Sequence, residues 1–279
     1  MFFLLELIEF IIYSTVIVFI TKSFLIKTLR TLANVLNLDS KLIGDITGFA
    51  TSMPELISVI FTALNGLFTV VIFNILSSNT INAIQYTFSI YRNKNQSFLN
   101  NDALKSDIVM VITTILIPFV AIVFNIDINI GFVPIFIMLF ILFYIINRSS
   151  HKLYLSEVNS KESDTNDELK EFETKKKKVA IKNIIYLFII GIALFIIGEL
   201  LGNVVKKLNI IFSFPEWFIG VLLGFITSIP ELITFIESQK QSNKEENNIE
   251  GVIEATNNLL TSNIINLFVV LTIGIIVAI

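Results

Sequence analysis

The sequence of 279 residues contains no cysteine, which excludes disulfides, thiolate metal sites and thiol nucleophiles. Charge is also scarce, because only 15% of residues are charged, and a net charge of −3 gives no reason to expect a nucleic-acid partner. Apolar residues are abundant instead: 54% are hydrophobic, 26 are Phe, and the mean hydropathy is +0.80. A soluble domain of this length could not bury so much apolar surface. The composition predicts an integral membrane protein surrounded by the lipid bilayer.

Apolar segments long enough for a helix to cross a hydrocarbon core of about 30 Å recur along the chain. They predict an all-α polytopic protein with about eight transmembrane helices, near residues 4–26, 43–64, 67–90, 106–125, 128–147, 180–204, 215–237 and 251–278. The start of the chain, Met1 to Ile12, is apolar and acidic rather than basic, and no small-residue cleavage site precedes Lys22. We therefore expect it to be retained as a span and not removed as a signal peptide.

One charged linker divides the chain. Residues 148–179 are polar and acid-rich and then basic, a composition that predicts a mobile tether between a first half of five spans, 1–147, and a second half of three, 180–279. With these spans, 18 of the 20 Lys and Arg residues fall on one side of the membrane. Because basic residues are retained in the cytoplasm, we expect a cytoplasmic linker and external termini, in the plasma membrane of a prokaryote.

A sequence block is duplicated within the chain. Residues 43–58 return as 219–234 with ten of sixteen positions identical, and residues 74–82 return as 258–266 with six of nine identical. The predicted spans place the two copies in opposite directions across the bilayer. Such inverted-topology repeats are an architecture that secondary transporters use to place substrate near the membrane midplane.

The shared residues of the two copies are polar. Thr51 and Ser52 precede Glu55 by four and three positions, so that a helix places two hydroxyls beside the carboxylate, and the second copy repeats this with Thr227, Ser228 and Glu231. A proline inside each motif frees a backbone carbonyl. Asparagine and serine then recur every four residues in the companion blocks, at Asn74, Ser78 and Asn82 and at Asn258, Ser262 and Asn266.

These side chains offer only oxygen ligands, which suit Ca²⁺ and, by the same hardness, Na⁺. Two carboxylates balance one divalent or two monovalent cations. An unpaired ionised Glu at the midplane costs at least ~3 kcal/mol, so the sequence predicts that a cation or a proton normally occupies the site. Asp45, near the start of its span, has Val221 as its counterpart and is interpreted as a solvated charge at a helix end.

At these motifs the chain resembles the cation/calcium exchanger superfamily. The first core is Ala50-Thr51-Ser52-Met53-Pro54-Glu55 and the second is Ile226-Thr227-Ser228-Ile229-Pro230-Glu231; the following motifs are residues 77–82 and 261–266. The resemblance implies a Na⁺/Ca²⁺ antiporter with alternating access, in which the first and sixth spans slide against a bundle that carries the site. It implies no enzyme activity and no cofactor, with Ca²⁺ and Na⁺ as the transported ions.

The resemblance also implies ligand roles for individual residues. These are central calcium carboxylates from Glu55 and Glu231, carbonyls from Thr51 and Thr227, hydroxyls from Ser52 and Ser228, outer sodium sites at Ser78 and Ser262, and amides between them from Asn82 and Asn266.

The chain departs from the family pattern in three respects. Many prokaryotic members have Asp where Asn266 stands, glycines that usually precede the motifs are Ala50, Ile226, Ser77 and Thr261, and the eight spans are two fewer than the usual ten. The shorter second half indicates either a fragment or the loss of two scaffold helices. Two alternatives to sodium coupling stay open, namely a Ca²⁺/H⁺ antiporter and a degenerate membrane scaffold that does not transport.

Overall fold

The computed structural model describes residues 2–36, 38, 40–124, 126, 128–158, 169–212, 214–244 and 249–279, and within these ranges the chain forms helices and no β-strand. The helices of the first half are α1 (Phe2–Ile20), α2 (Lys27–Val35), α3 (Ser40–Thr51), α4 (Met53–Leu64), α5 (Phe68–Arg92), α6 (Asp102–Val123) and α7 (Val133–Val158). Those of the second half are α8 (Leu169–Phe212), α9 (Glu216–Thr227), α10 (Ile229–Lys244), α11 (Glu250–Ile265) and α12 (Leu271–Val277). The prediction of an all-α polytopic fold is confirmed.

Two π-helical segments interrupt otherwise continuous helices. Thr21–Ile26 joins α1 to α2, and Asn266–Val270 joins α11 to α12. The first helical rod therefore continues to Val35 rather than ending near residue 26, as the hydropathy of the sequence suggests. The helix continues because α2 is amphipathic and packs against α8 and α3, so helical structure extends beyond the end of the apolar segment.

Seven described helical segments are both long enough and apolar enough to cross a membrane, against the eight that the sequence predicts. The difference is the predicted segment 67–90, which forms the 25-residue helix α5. At 1.5 Å per residue, α5 has the length to span a bilayer, but its asparagines and serines lower its hydropathy. Those polar side chains are buried against other helices, so its crossing of the membrane stays a prediction.

The duplicated block forms the same unit twice, a helix, a one-residue break and a second helix. α3 and α4 are separated at Ser52, and α9 and α10 are separated at Ser228, which is 176 positions later. Pro54 and Pro230 lie just inside the second helix of each unit, where a missing N–H is tolerated. The proline thus sets the break at the same place in both copies.

Each repeat places its glycine-bearing helix against the third helix of the other repeat. An ideal Cβ on Gly48 of α3 would lie 2.7 Å from the Asn258 carbonyl oxygen of α11, and one on Gly224 of α9 would lie 2.6 Å from the Asn74 carbonyl oxygen of α5. No side chain fits at such distances, so glycine is required for the close approach of these backbones. The seams α3–α11 and α9–α5 join the two repeats.

The order of contacts along these seams shows the direction of each helix. Gly44 meets α11 at Glu254 and Gly48 meets it at Asn258, so α3 and α11 run parallel, and α9 runs parallel to α5 in the same register. A short turn over residues 65–67 returns the chain from α4 to α5 in the opposite direction. α3 and α9 are consequently antiparallel, which confirms the inverted-topology repeat.

The repeats lie at the centre of the molecule, and the remaining helices surround them. In an 18-residue apolar stretch within 41–64, and in one within 250–277, 67% of residues are buried, against 28% in the corresponding stretch of 5–32 and 22% in that of 181–210. α1 and α8 pack against each other on one side, while α6 packs against α11 and α5, and α7 against the Asn266–Val270 segment. The polar centre is therefore enclosed by protein.

The helices on either side of the predicted linker extend into it. α7 continues to Val158 and α8 begins at Leu169, so that only residues 159–168 of the range 148–179 lie outside the described structure. Lys and Glu, which dominate this region, are good helix formers, and an existing helix is easily prolonged through them. The division into two halves joined by a tether stays a prediction.

Candidate cation site

Glu55 and Glu231 occupy equivalent positions in the first turn of α4 and α10, and the side chains of both are fully buried. Each carboxylate accepts a hydrogen bond from a serine of its own repeat. The Ser78 hydroxyl donates to Glu55 Oε1 at 2.7 Å, and the Ser262 hydroxyl donates to Glu231 Oε1 at 3.1 Å. The two acids thus have matching environments in the two repeats.

Two further serines connect these pairs across the repeat boundary. The hydroxyls of Ser52 and Ser262 are 3.0 Å apart, and those of Ser78 and Ser228 are also 3.0 Å apart. All four side chains are fully buried. The structure therefore brings every serine selected from the sequence to one centre, around the two carboxylates.

The two amides selected from the sequence lie beside the same serines. Asn82 Nδ2 is 3.4 Å from Ser262 Oγ, and Asn266 Nδ2 is 3.3 Å from Ser78 Oγ. Both contacts cross from one repeat to the other. Each amide consequently reaches the hydroxyl that serves the opposite carboxylate.

The two threonines lie beside the breaks between the paired helices. Thr51 Oγ1 donates to the Gly48 carbonyl at 3.2 Å, and Thr227 Oγ1 donates to the Leu223 carbonyl at 2.9 Å. Thr51 Oγ1 also lies 3.3 Å from Asn258 Oδ1 of the other repeat. All ten residues predicted for the site are thus gathered at one buried centre.

Four buried oxygens at this centre accept no hydrogen bond from the described residues. They are one carboxylate oxygen of each glutamate and the amide oxygen of each asparagine: Glu55 Oε2, Glu231 Oε2, Asn82 Oδ1 and Asn266 Oδ1. A buried oxygen without a partner is costly, so these four acceptors call for a partner that the described side chains do not supply, which is a water or a cation. The donor set fits a hard cation held by oxygen ligands.

The charge of the centre comes from two acids. Nowhere in the described ranges do three or more His, Cys, Asp or Glu side chains form a metal-binding group. Glu55 and Glu231 are close enough to repel each other when both are ionised. A cation between them would relieve this repulsion, and the neutral hydroxyls and amides would complete its coordination.

Comparison with known proteins identifies the family. The profile of the family described as sodium/calcium exchanger protein matches residues 7–153 and 182–279. The chain belongs to this family. A structure of the sodium-calcium exchanger NCX_Mj, soaked with 2.5 mM Na⁺ and 10 mM Sr²⁺, is similar in fold, with a TM-score of 0.51 and 18% sequence identity over 98% of this chain and 83% of that one. No curated protein matches the chain.

Membership of the sodium/calcium exchanger family agrees with the composition and the helices. The chain is an integral membrane protein of a cation-exchange transporter family. The resemblance that the Thr-Ser-x-Pro-Glu motifs indicate is thereby confirmed. The match extends across both repeats, including each segment that contributes to the buried centre.

Asp45 of this exchanger-family chain is not the solvated helix-end charge that the sequence suggests. It is half-buried, and its Oδ1 accepts hydrogen bonds from Thr261 Oγ1 at 2.6 Å and from Asn257 Nδ2. Asp45 lies two helical turns before Ser52 on α3, about 10 Å along the axis. It fastens α3 to α11 and does not reach the buried centre.

The sequence analysis did not select Asn79 and Asn263, which support the buried centre. Asn79 and Asn263 contact the amides of Asn82 and Asn266, and both are identical in the two copies of the block. Asn74 Nδ2 donates to the Ser58 hydroxyl at 2.9 Å, and the equivalent pair in the second repeat has the same contact. Identity between the repeats was the available signal, since every one of these asparagines is duplicated.

Proposed function

We propose that the chain is a secondary active antiporter that exchanges Ca²⁺ for Na⁺ by alternating access at the buried centre. One observation carries the proposal: four buried oxygens, two from carboxylates and two from amides, accept no hydrogen bond from the described residues. Each repeat contributes one carboxylate oxygen and one amide oxygen, from equivalent positions. A transported cation is the partner that would satisfy all four at once.

The ligand chemistry supports Ca²⁺ as one substrate. Ca²⁺ takes six to eight oxygen ligands in flexible geometry, and the centre offers two carboxylates, two amides and several hydroxyls. Two ionised glutamates also neutralise one Ca²⁺. Na⁺ has a similar size and the same preference for oxygen, so two Na⁺ ions would meet the same charge requirement.

The charge of the centre supports exchange rather than one-way flow. Leaving ionised glutamates unpaired within the bilayer costs at least ~3 kcal/mol each, so an empty site would change its exposure reluctantly. A site loaded with Ca²⁺ or with Na⁺ carries no such penalty. Only loaded forms then move readily, and transport of one ion depends on return of the other.

The surrounding helices support a division into a central bundle and an outer pair. α1 and α8 pack against each other, and their contacts with the repeats are mainly apolar. Apolar surfaces can slide with little loss because few directional bonds break, and the contacts of Arg30 on α2 with Ser238 and Glu254 are the directional bonds that such a movement would have to exchange. We propose that this pair moves relative to the repeats and exposes the centre to one face at a time.

The decisive experiment measures ⁴⁵Ca²⁺ uptake by proteoliposomes. With Na⁺ inside and none outside, we expect rapid uptake that stops when the Na⁺ gradient is dissipated by an ionophore. Uptake that follows a pH gradient instead would indicate a Ca²⁺/H⁺ antiporter. Absence of uptake under either gradient, from protein that is correctly inserted, would indicate a scaffold without transport.

The site assignment is tested by Glu55→Gln and Glu231→Gln. Each substitution keeps the shape of the side chain and removes the charge, so both variants should insert normally and lose Ca²⁺ uptake. Glu199→Gln is the matched control, because Glu199 lies on α8 and is exposed. Uptake at wild-type rates in both site variants would contradict the assignment.

We also propose that both termini lie outside a prokaryotic plasma membrane and that residues 148–179 are cytoplasmic. Because the chain has no cysteine, a single introduced thiol reports its own location. Ser97→Cys, between α5 and α6, should react with a membrane-impermeant maleimide only after the membrane is opened. Lys206→Cys, near the end of α8, should react in intact cells, and the reverse result would invert the topology.

A further inference from the structure

Asn79 and Asn263 form a reciprocal pair where α5 crosses α11. Asn79 Nδ2 donates to the Asn263 carbonyl at 3.1 Å, and Asn263 Nδ2 donates to the Asn79 carbonyl at 3.1 Å. Both side chains are fully buried. Asn79 and Asn263 are equivalent positions of the two repeats, so the pair lies where the two repeats meet symmetrically.

The side-chain oxygens of this pair hold the amides of the cation site. Asn263 Oδ1 accepts a hydrogen bond from Asn82 Nδ2 at 3.2 Å, and Asn79 Oδ1 accepts one from Asn266 Nδ2 at 3.2 Å. Both contacts cross between repeats. Each asparagine of the pair therefore uses its donor on a backbone carbonyl and its acceptor on an amide of the site.

The orientation of an amide decides whether it can bind a cation. The oxygen and nitrogen of an asparagine side chain have nearly the same shape, and a rotation of about 180° exchanges them. An NH₂ group that faced a cation would repel it. Asn82 Nδ2 is held between Asn263 Oδ1 and Ser262 Oγ, and this leaves Asn82 Oδ1 as the end without a hydrogen bond.

We propose that Asn79 and Asn263 are positioning residues that turn the amide oxygens of Asn266 and Asn82 towards the transported cation. This inference rests on the proposed function of the centre. It adds that the two amides act as oxygen ligands because residues of the opposite repeat fix their nitrogens. Neither positioning residue needs to contact the cation itself.

The test is a double-mutant cycle between the positioning residue and the amide that it holds. Asn263→Ala should raise the KM for Ca²⁺ roughly fivefold to tenfold, because one hydrogen bond that orients Asn82 is lost. In an Asn82→Asp background both ends of the new side chain are oxygen, so no amide needs to be oriented, and one carboxylate oxygen would face Asn263 Oδ1, which cannot donate to it. There, Asn263→Ala should leave the KM within about twofold or lower it.

A purely structural role for Asn263 predicts a different result. If Asn263 only packs α11 against α5, Asn263→Ala raises the KM by the same factor in both backgrounds, and the proposal is overturned. Asn203→Ala, an exposed asparagine on α8, is the control and should leave the KM unchanged. The melting temperature without Ca²⁺ reports any general loss of stability separately.

The mirror-image cycle, Asn79→Ala with and without Asn266→Asp, gives an independent second measurement. Ca²⁺ binding is followed in both cycles by the Ca²⁺-dependent rise in melting temperature as well as by uptake. Loss of binding in both Asp variants that removal of the facing asparagine does not restore would overturn the proposal, because a carboxylate supplies oxygen in either orientation. Failure of the wild-type protein to bind Ca²⁺ would instead reject the proposed function.

Discussion

A methyl group added at Gly48 should disrupt the seam between α3 and α11. The added Cβ would lie 2.7 Å from the Asn258 carbonyl oxygen and 2.9 Å from Thr261 Cβ, whereas ordinary contact begins near 3.4 Å. The nearest atom belongs to the backbone, so no change of rotamer can relieve the overlap. The two helices must move apart by about 0.7 Å, or one of them must rotate.

The expected cost has two parts. Overpacking of this kind destabilises a protein by about 1–3 kcal/mol. The same movement would separate Ser52, one turn after Gly48, from Ser262, whose hydroxyls are 3.0 Å apart. An increase of about 0.7 Å takes that pair beyond hydrogen-bonding distance, so we expect Ca²⁺ affinity to fall by at least about tenfold.

The measurement compares Gly48→Ala with Gly191→Ala, whose new Cβ meets nothing within 4 Å on α8. Purified variants are melted with and without Ca²⁺, and uptake is measured in proteoliposomes. We expect Gly48→Ala to lower the melting temperature and to reduce the stabilisation by Ca²⁺, while Gly191→Ala behaves as wild type. Equal behaviour of the two variants would refute the close-packed seam and its link to the site.

Three further changes have defined outcomes. Ser78→Ala removes the donor 2.7 Å from Glu55 Oε1, and the KM for Ca²⁺ should rise about tenfold or more; an unchanged KM would show that this hydroxyl is dispensable. Asn266→Asp adds a titratable group, so Ca²⁺ uptake should rise more steeply with pH than in the wild type, and parallel pH profiles would contradict this. Arg30→Met leaves the largely buried Glu254 without its ion pair. Because Arg30 is itself partly exposed, we expect the free energy of unfolding measured in thermal melts to fall by no more than about 3 kcal/mol.

The gathering of the site residues could be predicted because the information lies within the repeats. Thr51 and Glu55 are four apart in a helix, and the duplicated block fixes an equivalent pair in the second half. The two copies run in opposite directions. If they pack against each other, Glu55 and Glu231, which lie near the middle of their spans, come close together. Local periodicity and duplication together specify the centre without knowledge of any single contact.

The partners of the supporting asparagines could not be predicted in the same way. Asn79 bonds to Asn263 across 184 positions, and this choice depends on the crossing of two helices rather than on any local pattern. Asp45 illustrates the same limit, since its position in the sequence resembles that of a solvated helix end. Its contact with Thr261 exists only because glycines bring α3 against α11.

The packing of α3 against α11 and of α9 against α5, which joins the two repeats, also affects how the protein assembles. Gly48 packs against α11, which is synthesised long after α3, and Ser52 and Ser262 are separated by 210 positions. Until α11 has been synthesised, polar side chains of the first repeat such as Ser52 lack their hydrogen-bonding partners in the second repeat. The buried centre therefore cannot form until both repeats have been synthesised, and the early helices need temporary shielding by the insertion machinery or by one another.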